Sequence, residues 1–309
     1  MKTILIKKIS IKCMIALSFV FALNSCEKEE GTAISEESGN FEATITDLNL
    51  SKTQIAVLKD NLVIPENSTV QQLEGTFLGR NINGLLIDDN FVASELFDQW
   101  LNADSNTEAS KGSIMKNRVS FPANGKRTLK IGIVSQGFQS LNAVQLESAI
   151  ESISRYNSLN MAKIQYTYRL GSASQLMQDQ SLNQVIFNDT NNNFVGNPDG
   201  RAQFPVNGNP GFLLGLNNRT RNYTKKQNTV LIQHEMGHTL GLVHSDYLTR
   251  RSCDFNGTDV NPNLVEGIPN TINSGNHLNS IMRACGFFRY INFRGEDIVG
   301  LRNAYNGNF

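Results

Sequence analysis

Residues 234–246 read HEMGHTLGLVHSD. The chain has 309 residues and only four histidines, and three of them, His234, His238 and His244, fall inside this stretch. His234 and His238 are four apart. On a helix that spacing puts both imidazoles on one face, one turn apart, where both reach a single metal ion. Glu235 points about 100° round the helix from His234, so it is badly placed as a ligand and well placed to reach a water beside the metal. A continuing helix would carry His244 about 15 Å along the axis. Gly241 lies between His238 and His244, and glycine accepts the left-handed turn that ends a helix. The chain can therefore turn back and deliver a third imidazole. Three neutral imidazoles leave the full charge on a zinc ion and one position open for water, the pattern of a catalytic rather than a structural site. Glu235 is then the general base that activates the water.

The surrounding chain opens a mixed α+β domain. LKIGIVS from residue 129 is rich in β-branched residues and reads as a strand. LNAVQLESAIESISRYN follows as a helix: Leu146, Ala149, Ile150 and Ile153 recur at one face, and Asn142 with Gln145 makes a capping box. KIQYTYR (163–169), QVIFND (184–189) and FLLGLN (212–217) read as further strands. Gly200, Arg201, Ala202, Gln203 and Phe204 form a short extended piece stopped by Pro205. A strand that ends on proline reads as an edge strand. The Asn- and Asp-rich loop before it makes calcium a second candidate ion, in competition with the loop's own turns. The histidine helix, NTVLIQHEMGHTLGL, has Asn228 or Thr229 as its expected cap.

The N-terminus gives a separate signal. Lys2, Lys7, Lys8 and Lys12 precede the apolar run CMIALSFVFAL (13–23), too short for a membrane span and of a length for a secretion signal. The run ends in Leu23-Asn24-Ser25-Cys26 and resembles the lipobox of bacterial lipoproteins, which makes Cys26 the lipidated first residue of the mature chain. An acidic EKEE follows and resembles an export signal to the cell surface. The expected product is an outer-membrane lipoprotein held to the membrane through Cys26, facing either the periplasm or the cell surface. Cys253 and Cys285 remain, and in an exported protein they are candidates for a disulfide. Lys and Arg total 28 and Asp and Glu total 28, a balance that argues against a nucleic-acid partner.

Four segments follow: 1–25, a signal peptide; 26–40, a flexible tether; 41–127, a pro-segment-like or spacer region ending in a linker; and 128–309, the catalytic domain. In the third, Gly84–Ile87 reads as a strand and Phe91–Leu101 as a helix.

HEMGHTLGLVH matches the HExxHxxGxxH signature of the metzincin zinc endopeptidases and resembles them over residues 128–309. The lipoprotein setting and flanking cysteines look most like the bacterial protease B-like, dual-action HEIGH metallopeptidases. The resemblance implies a metzincin-type zincin. It would have a mixed twisted sheet with an edge strand over the cleft, an active-site helix, a methionine turn at Met282 within Asn279-Ser280-Ile281-Met282, and a closing helix in FRGEDIVGLRNAYN. It also implies that residues 200–204 bind an extended peptide. Ala284 stands where some clan members have a zinc-touching tyrosine, so no such ligand is expected. Arg283, Phe287, Phe288 and Tyr290 lie where clan members build a pocket wall, and core packing explains the aromatic run as well. Asp246 is a candidate partner for a ligand histidine or equally a cap of the next turn, and His277 reads as a surface residue. Many secreted metzincins are latent, some through a cysteine. Residues 27–126 have none, and Asp88 or Asp89 could serve instead. The function implied is hydrolysis of peptide bonds in extracytoplasmic proteins or peptides. The rival is a lipid-anchored adhesin or binding module on an inactive scaffold of the same kind, against which the intact Glu235 speaks.

Overall fold

The computed structural model describes residues 42–61, 70–102, 119–245, 280–286, 288 and 291–305. The signal run, the tether with Cys26, and residues Asp246, Cys253, His277, Phe287 and Tyr290 lie outside the described residues, so the expected disulfide lies there too.

Strands β1 (Glu42–Asp47), β2 (Val70–Phe77), β3 (Arg80–Ile87), β4 (Asn90–Ala93), β5 (Arg127–Gln136), β6 (Ile164–Ser172), β7 (Gln184–Asp189), β8 (Gly200–Gln203) and β9 (Leu213–Asn217) form one mixed sheet. Its order is β1-β2-β3-β4-β8-β9-β7-β5-β6. The helices are α1 (Lys52–Asp60), α2 (Ser94–Asn102), α3 (Ala143–Ser158), α4 (Ala173–Met177), α5 (Lys225–Thr239) and α6 (Gly295–Tyr305). The β-α-β-β opening read from residue 129 is present as β5, α3, β6 and β7, with the short α4 added before β7.

One expectation fails. The 200–204 strand is interior, not an edge. β8 pairs antiparallel with β9 on one side and parallel with β4 on the other. The amides of Ala202 and Phe204 donate to the carbonyls of Asp89 and Phe91, both at 3.0 Å. Pro205 ends β8 and is compatible with this, because it falls beyond the paired residues. The strands of residues 42–93 thus continue the sheet of the later chain. Phe91 is accordingly strand, and the helix expected from residue 91 starts at Ser94.

The apolar cores explain the continuity. Leu73, Phe77 and Phe91 from the N-terminal strands pack in one cluster with Val185, Phe187 and Phe194. Trp100, Leu96 and Ile87 pack with Phe204 and Val243. Several of these aromatic side chains are almost fully buried, each worth about 1.5–3 kcal/mol relative to exposure.

On the face opposite the first of these clusters, α3 and α5 pack together. The capping box of α3 is present, with the Asn142 side chain accepting from the Gln145 amide and Gln145 returning the bond. Its most buried face is smaller and more polar than the apolar periodicity suggests: Gln145, Ser148, Ala149, Ser152, Ile153 and Tyr156. Ser148 and Ser152 donate to the carbonyls of Lys225 and Thr229, and the Tyr156 hydroxyl donates to that of Gln233 at 2.8 Å. These hydroxyls tie α3 to the backbone of the histidine helix. α5 itself is buried on every side from Asn228 to Thr239. Its cap is Thr224 in a capping box with Gln227, one turn earlier than Asn228 or Thr229. Asn228 is instead a buried residue that donates to the carbonyl of Thr220.

Candidate metal centre

α5 carries His234 and His238 one turn apart and stops where the sequence demands. Gly241 has φ +93°, its amide donates to the His238 carbonyl, and the Leu242 amide donates to the Gly237 carbonyl. That bond pair is the Schellman termination. It returns the chain so that His244 meets the two helical histidines. The Nε2 atoms of His234 and His238 are 3.0 Å apart, and those of His234 and His244 are 3.3 Å apart.

The tautomers follow from the carbonyls behind the rings. A carbonyl only accepts, so His234 donates through Nδ1 to Ile281 at 2.7 Å, and His238 donates through Nδ1 to Leu242 at 2.8 Å. Burial pushes the His238 imidazole down, favouring the neutral ring. The two Nε2 atoms then carry lone pairs aimed at each other, which is repulsive without a cation between them. Tetrahedral zinc with ligand bonds of about 2.0–2.1 Å places its nitrogens roughly 3.3 Å apart. The donor set therefore fits a metal ion.

The structure adds a residue to the three. Asp89, in the turn between β3 and β4, places its Oδ2 2.8 Å from His244 Nε2, 3.4 Å from His234 Nε2 and 3.9 Å from His238 Nε2. The four ligand atoms lie within 4.8 Å of one another, and all four residues are buried. The position expected to stand open for water thus has a carboxylate at it. Asp89 was legible in the sequence only as one of two acidic candidates for latency.

Glu235 projects beside this group and is 1% exposed. Burial, with the Asp89 carboxylate next in effect, pushes its carboxyl well up. The chain leaves room for it at Gly200: a Cβ there would stand 2.6 Å from Glu235 Oε1. A cavity of about 250 Å³ opens onto Glu235, Asp89 and Gly200, with Ala284 and Phe288 on its wall. A larger open depression of about 640 Å³ runs along α2 past Glu95 and Gln99, away from any metal-ligating cluster, so the smaller cavity is the one with chemistry in it.

The remaining residues of β8 have distinct places. Arg201 is buried and reaches back to the 88–89 turn, its Nε donating to the Asp88 carbonyl at 2.8 Å. Burial pulls its guanidinium down to about 10, against the attraction of Asp89 and Asp88. The Gln203 side-chain carbonyl accepts from the Phe212 amide at 3.2 Å. The Phe204 ring meets His238 edge-on, with centroids 5.8 Å apart.

Met282 is buried beneath α5, close enough that a Cβ on Gly237 would stand 2.4 Å from its Sδ. Its turn is fastened by Asp297 of α6. The Asp297 carboxylate accepts from Ser280 Oγ, from the Ile281 amide at 3.2 Å and from the Arg294 amide at 2.8 Å. Ile281 holds His234, so Asp297 supports a ligand through one intermediary. The sequence reading passed over Asp297. Its one signal was its place in the first turn of the closing helix, beside Glu296. In the loop proposed for calcium, Asp189 Oδ2 accepts from its own loop's amides, Phe194 at 2.7 Å and Val195 at 2.8 Å.

The family model described as "Dual-action HEIGH metallo-peptidase" matches residues 88–305, a span that begins at Asp88, ahead of the boundary read at residue 128. A solved structure titled "Structure of Myroilysin" is similar over 66% of this chain and 88% of its own, at 13% identity and a TM-score of 0.39. No curated protein matches the chain. The chain belongs to the dual-action HEIGH metallopeptidase family, and it is a metallopeptidase.

Proposed function

We propose that the chain is a zinc endopeptidase of the metzincin type, exported as a lipoprotein, that cleaves extended segments of extracytoplasmic proteins or peptides. The observation that carries the reading is the convergence of three imidazole Nε2 atoms with Glu235 beside them at a cavity. His234, His238 and His244 hold the ion. When bound, zinc supplies Lewis acidity towards a peptide carbonyl and makes a water more acidic.

The chain's own groups do the rest. Glu235 takes the proton of the attacking water on its carboxylate and passes it to the leaving nitrogen. The amides of Ala202 and Phe204 are the donors that an extended peptide would use beside the site by strand addition, with Gly200 leaving space over Glu235. Met282, packed against Gly237, forms the floor under the histidines. The lipid anchor at Cys26, and the disulfide between Cys253 and Cys285, rest on the sequence signals alone.

The test is mass spectrometry of a mixed peptide library incubated with the full chain. An Asp89→Ala chain is run beside it, so that a covered site is not mistaken for an inactive one. Cleavage that a zinc chelator and Glu235→Ala both abolish supports the reading. Absence of chelator-sensitive cleavage from both zinc-loaded chains contradicts it.

A further inference from the structure

We propose that Arg219 makes the cavity beside Glu235 selective for a carboxylate: the substrate residue that supplies the leaving nitrogen sets an acidic side chain, or the carboxylate of a chain end, against its guanidinium. The proposal rests on the peptidase reading above and names the substrate class that the site selects.

The position follows from the proton path. In that reading Glu235 passes a proton to the leaving nitrogen, so the residue that carries this nitrogen lies nearest Glu235. The cavity that opens onto Glu235 measures about 250 Å³. That is below the roughly 300–1,000 Å³ of a small-molecule site and suits a single side chain. Leu231, Ala284 and Phe288 give it apolar walls, and Arg219 is the one cationic side chain among the described residues that line it.

The guanidinium is held in place and only partly used. Nε donates to Asp199 Oδ1 at 2.6 Å, and Nη2 donates to the Asn197 carbonyl. Asp199 Oδ1 also accepts from the Tyr223 hydroxyl at 2.8 Å, and the Tyr223 ring stands edge-on to Phe288 with centroids 5.6 Å apart. The short turn Asn218–Asn222 that carries Arg219 is pinned at its start. The Arg219 amide donates to Asn217 Oδ1 at 3.0 Å, and the Asn217 amide donates to the Asp199 carbonyl at 2.8 Å. Nη1 makes no hydrogen bond among the described residues. The arginine fork therefore has N–H donors left at its outer end, in the geometry that takes a carboxylate through both oxygens. Because the fork is already ordered, little side-chain freedom is lost on binding.

Asp199 could in turn attract a cation. The Arg219 side chain is 52% exposed against 20% for Asp199, so an incoming group meets the guanidinium first. Asp199 is a positioning residue for Arg219, with Tyr223 behind it.

The experiment measures kcat/KM on the full zinc-loaded chain, native and Asp89→Ala, each with Arg219, Arg219→Gln or Arg219→Lys. The substrates are amidated peptides that differ only in the residue after the cleaved bond: glutamate, glutamine or lysine. A further pair ends at that residue as glutamine, with a free or an amidated terminus, and separates a chain end from a side chain as the source of the carboxylate. The expected result is a preference of about tenfold or more for glutamate over glutamine, or for the free acid over the amide, the scale of a charge-assisted hydrogen bond. Arg219→Gln should bring the ratio close to one with zinc content unchanged, and Arg219→Lys should keep part of it. Thermal melts check folding. If the glutamine variant unfolds, the unsubstituted chain decides: between about 0.1 M and 1 M salt its ratio should shrink, because a half-exposed charge is screened. A ratio that does not respond to salt overturns the proposal. Equal rates within both peptide pairs overturn it. A preference for lysine assigns the pocket to Asp199 and overturns it. A carboxylate preference that persists in folded Arg219→Gln removes Arg219 from the selection. Failure of every chain to cleave any of these peptides is failure of the peptidase reading, and the selectivity falls with it.

Discussion

Gly200 and Glu235 are in such close register that a Cβ on Gly200 would lie 2.6 Å from Oε1 and 2.8 Å from Cδ and Cγ of the glutamate. The edge of the cleft is thus matched to a residue without a side chain. Gly200→Ala should push the Glu235 carboxylate aside without touching a metal ligand. A misplacement of about 1 Å in such a group costs on the order of a hundredfold in rate. The expected outcome is a fall in kcat of that order in the Asp89→Ala background with zinc content unchanged, read by steady-state kinetics and metal analysis. A kcat within twofold of the parent would show that the contact does not position the base.

Asp297 is expected to matter at a distance. In Asp297→Ala the buried amide of Ile281 loses its acceptor, at about 1–3 kcal/mol, and the part-buried amide of Arg294 loses its own at smaller cost. The loosened Ile281 carbonyl no longer fixes His234, and removal of such outer support weakens metal binding about 10–100-fold. Asp297→Asn should be milder, since one amide oxygen can still accept from both backbone amides and the amide nitrogen can donate to Ser280. Zinc affinity by competitive chelation, with denaturant melts, separates the two. Equal effects of the two substitutions would contradict the account.

The sequence was informative where a local rule decides the structure. Gly241 foretold the turn that returns His244, and Asn142 with Gln145 foretold the start of α3. It misled where a tertiary partner decides. The 200–204 strand ends on proline and reads as an edge, but four strands from much earlier in the chain cover it. Thr224 caps the histidine helix, because Asn228 is used inside, against Thr220. The packed stripe of α3 runs through Ser148 and Ser152, whose hydroxyls are shared between carbonyls of α3 itself and of α5, and no apolar periodicity reveals such a stripe. Asp89 joins the histidines from 145 residues away in sequence, a pairing that no spacing rule encodes.

A pH effect on stability follows from Asp179, remote from the metal. Lys130 at 2.6 Å, Ser181 and Arg169 hold its carboxyl well below the usual carboxylate range, against the modest opposing effect of burial. A depressed folded value means that the unfolded chain binds the proton more readily. The stabilisation is therefore complete above the unfolded value of about 3.9 and is lost as pH falls through and below it. Urea melts between about pH 5 and pH 3 should show stability falling in the wild type and a shallower fall in Asp179→Asn. Identical slopes would remove Asp179 from the acid response.

The most direct test of the central claim, that Glu235 is the base of a zinc peptidase, compares two chains at matched zinc content: Asp89→Ala, and Asp89→Ala with Glu235→Ala. Initial rates on a defined cleaved peptide should fall by roughly 10²–10⁴-fold when Glu235 is removed, with one zinc retained in each chain. Equal rates in the two chains would contradict the account.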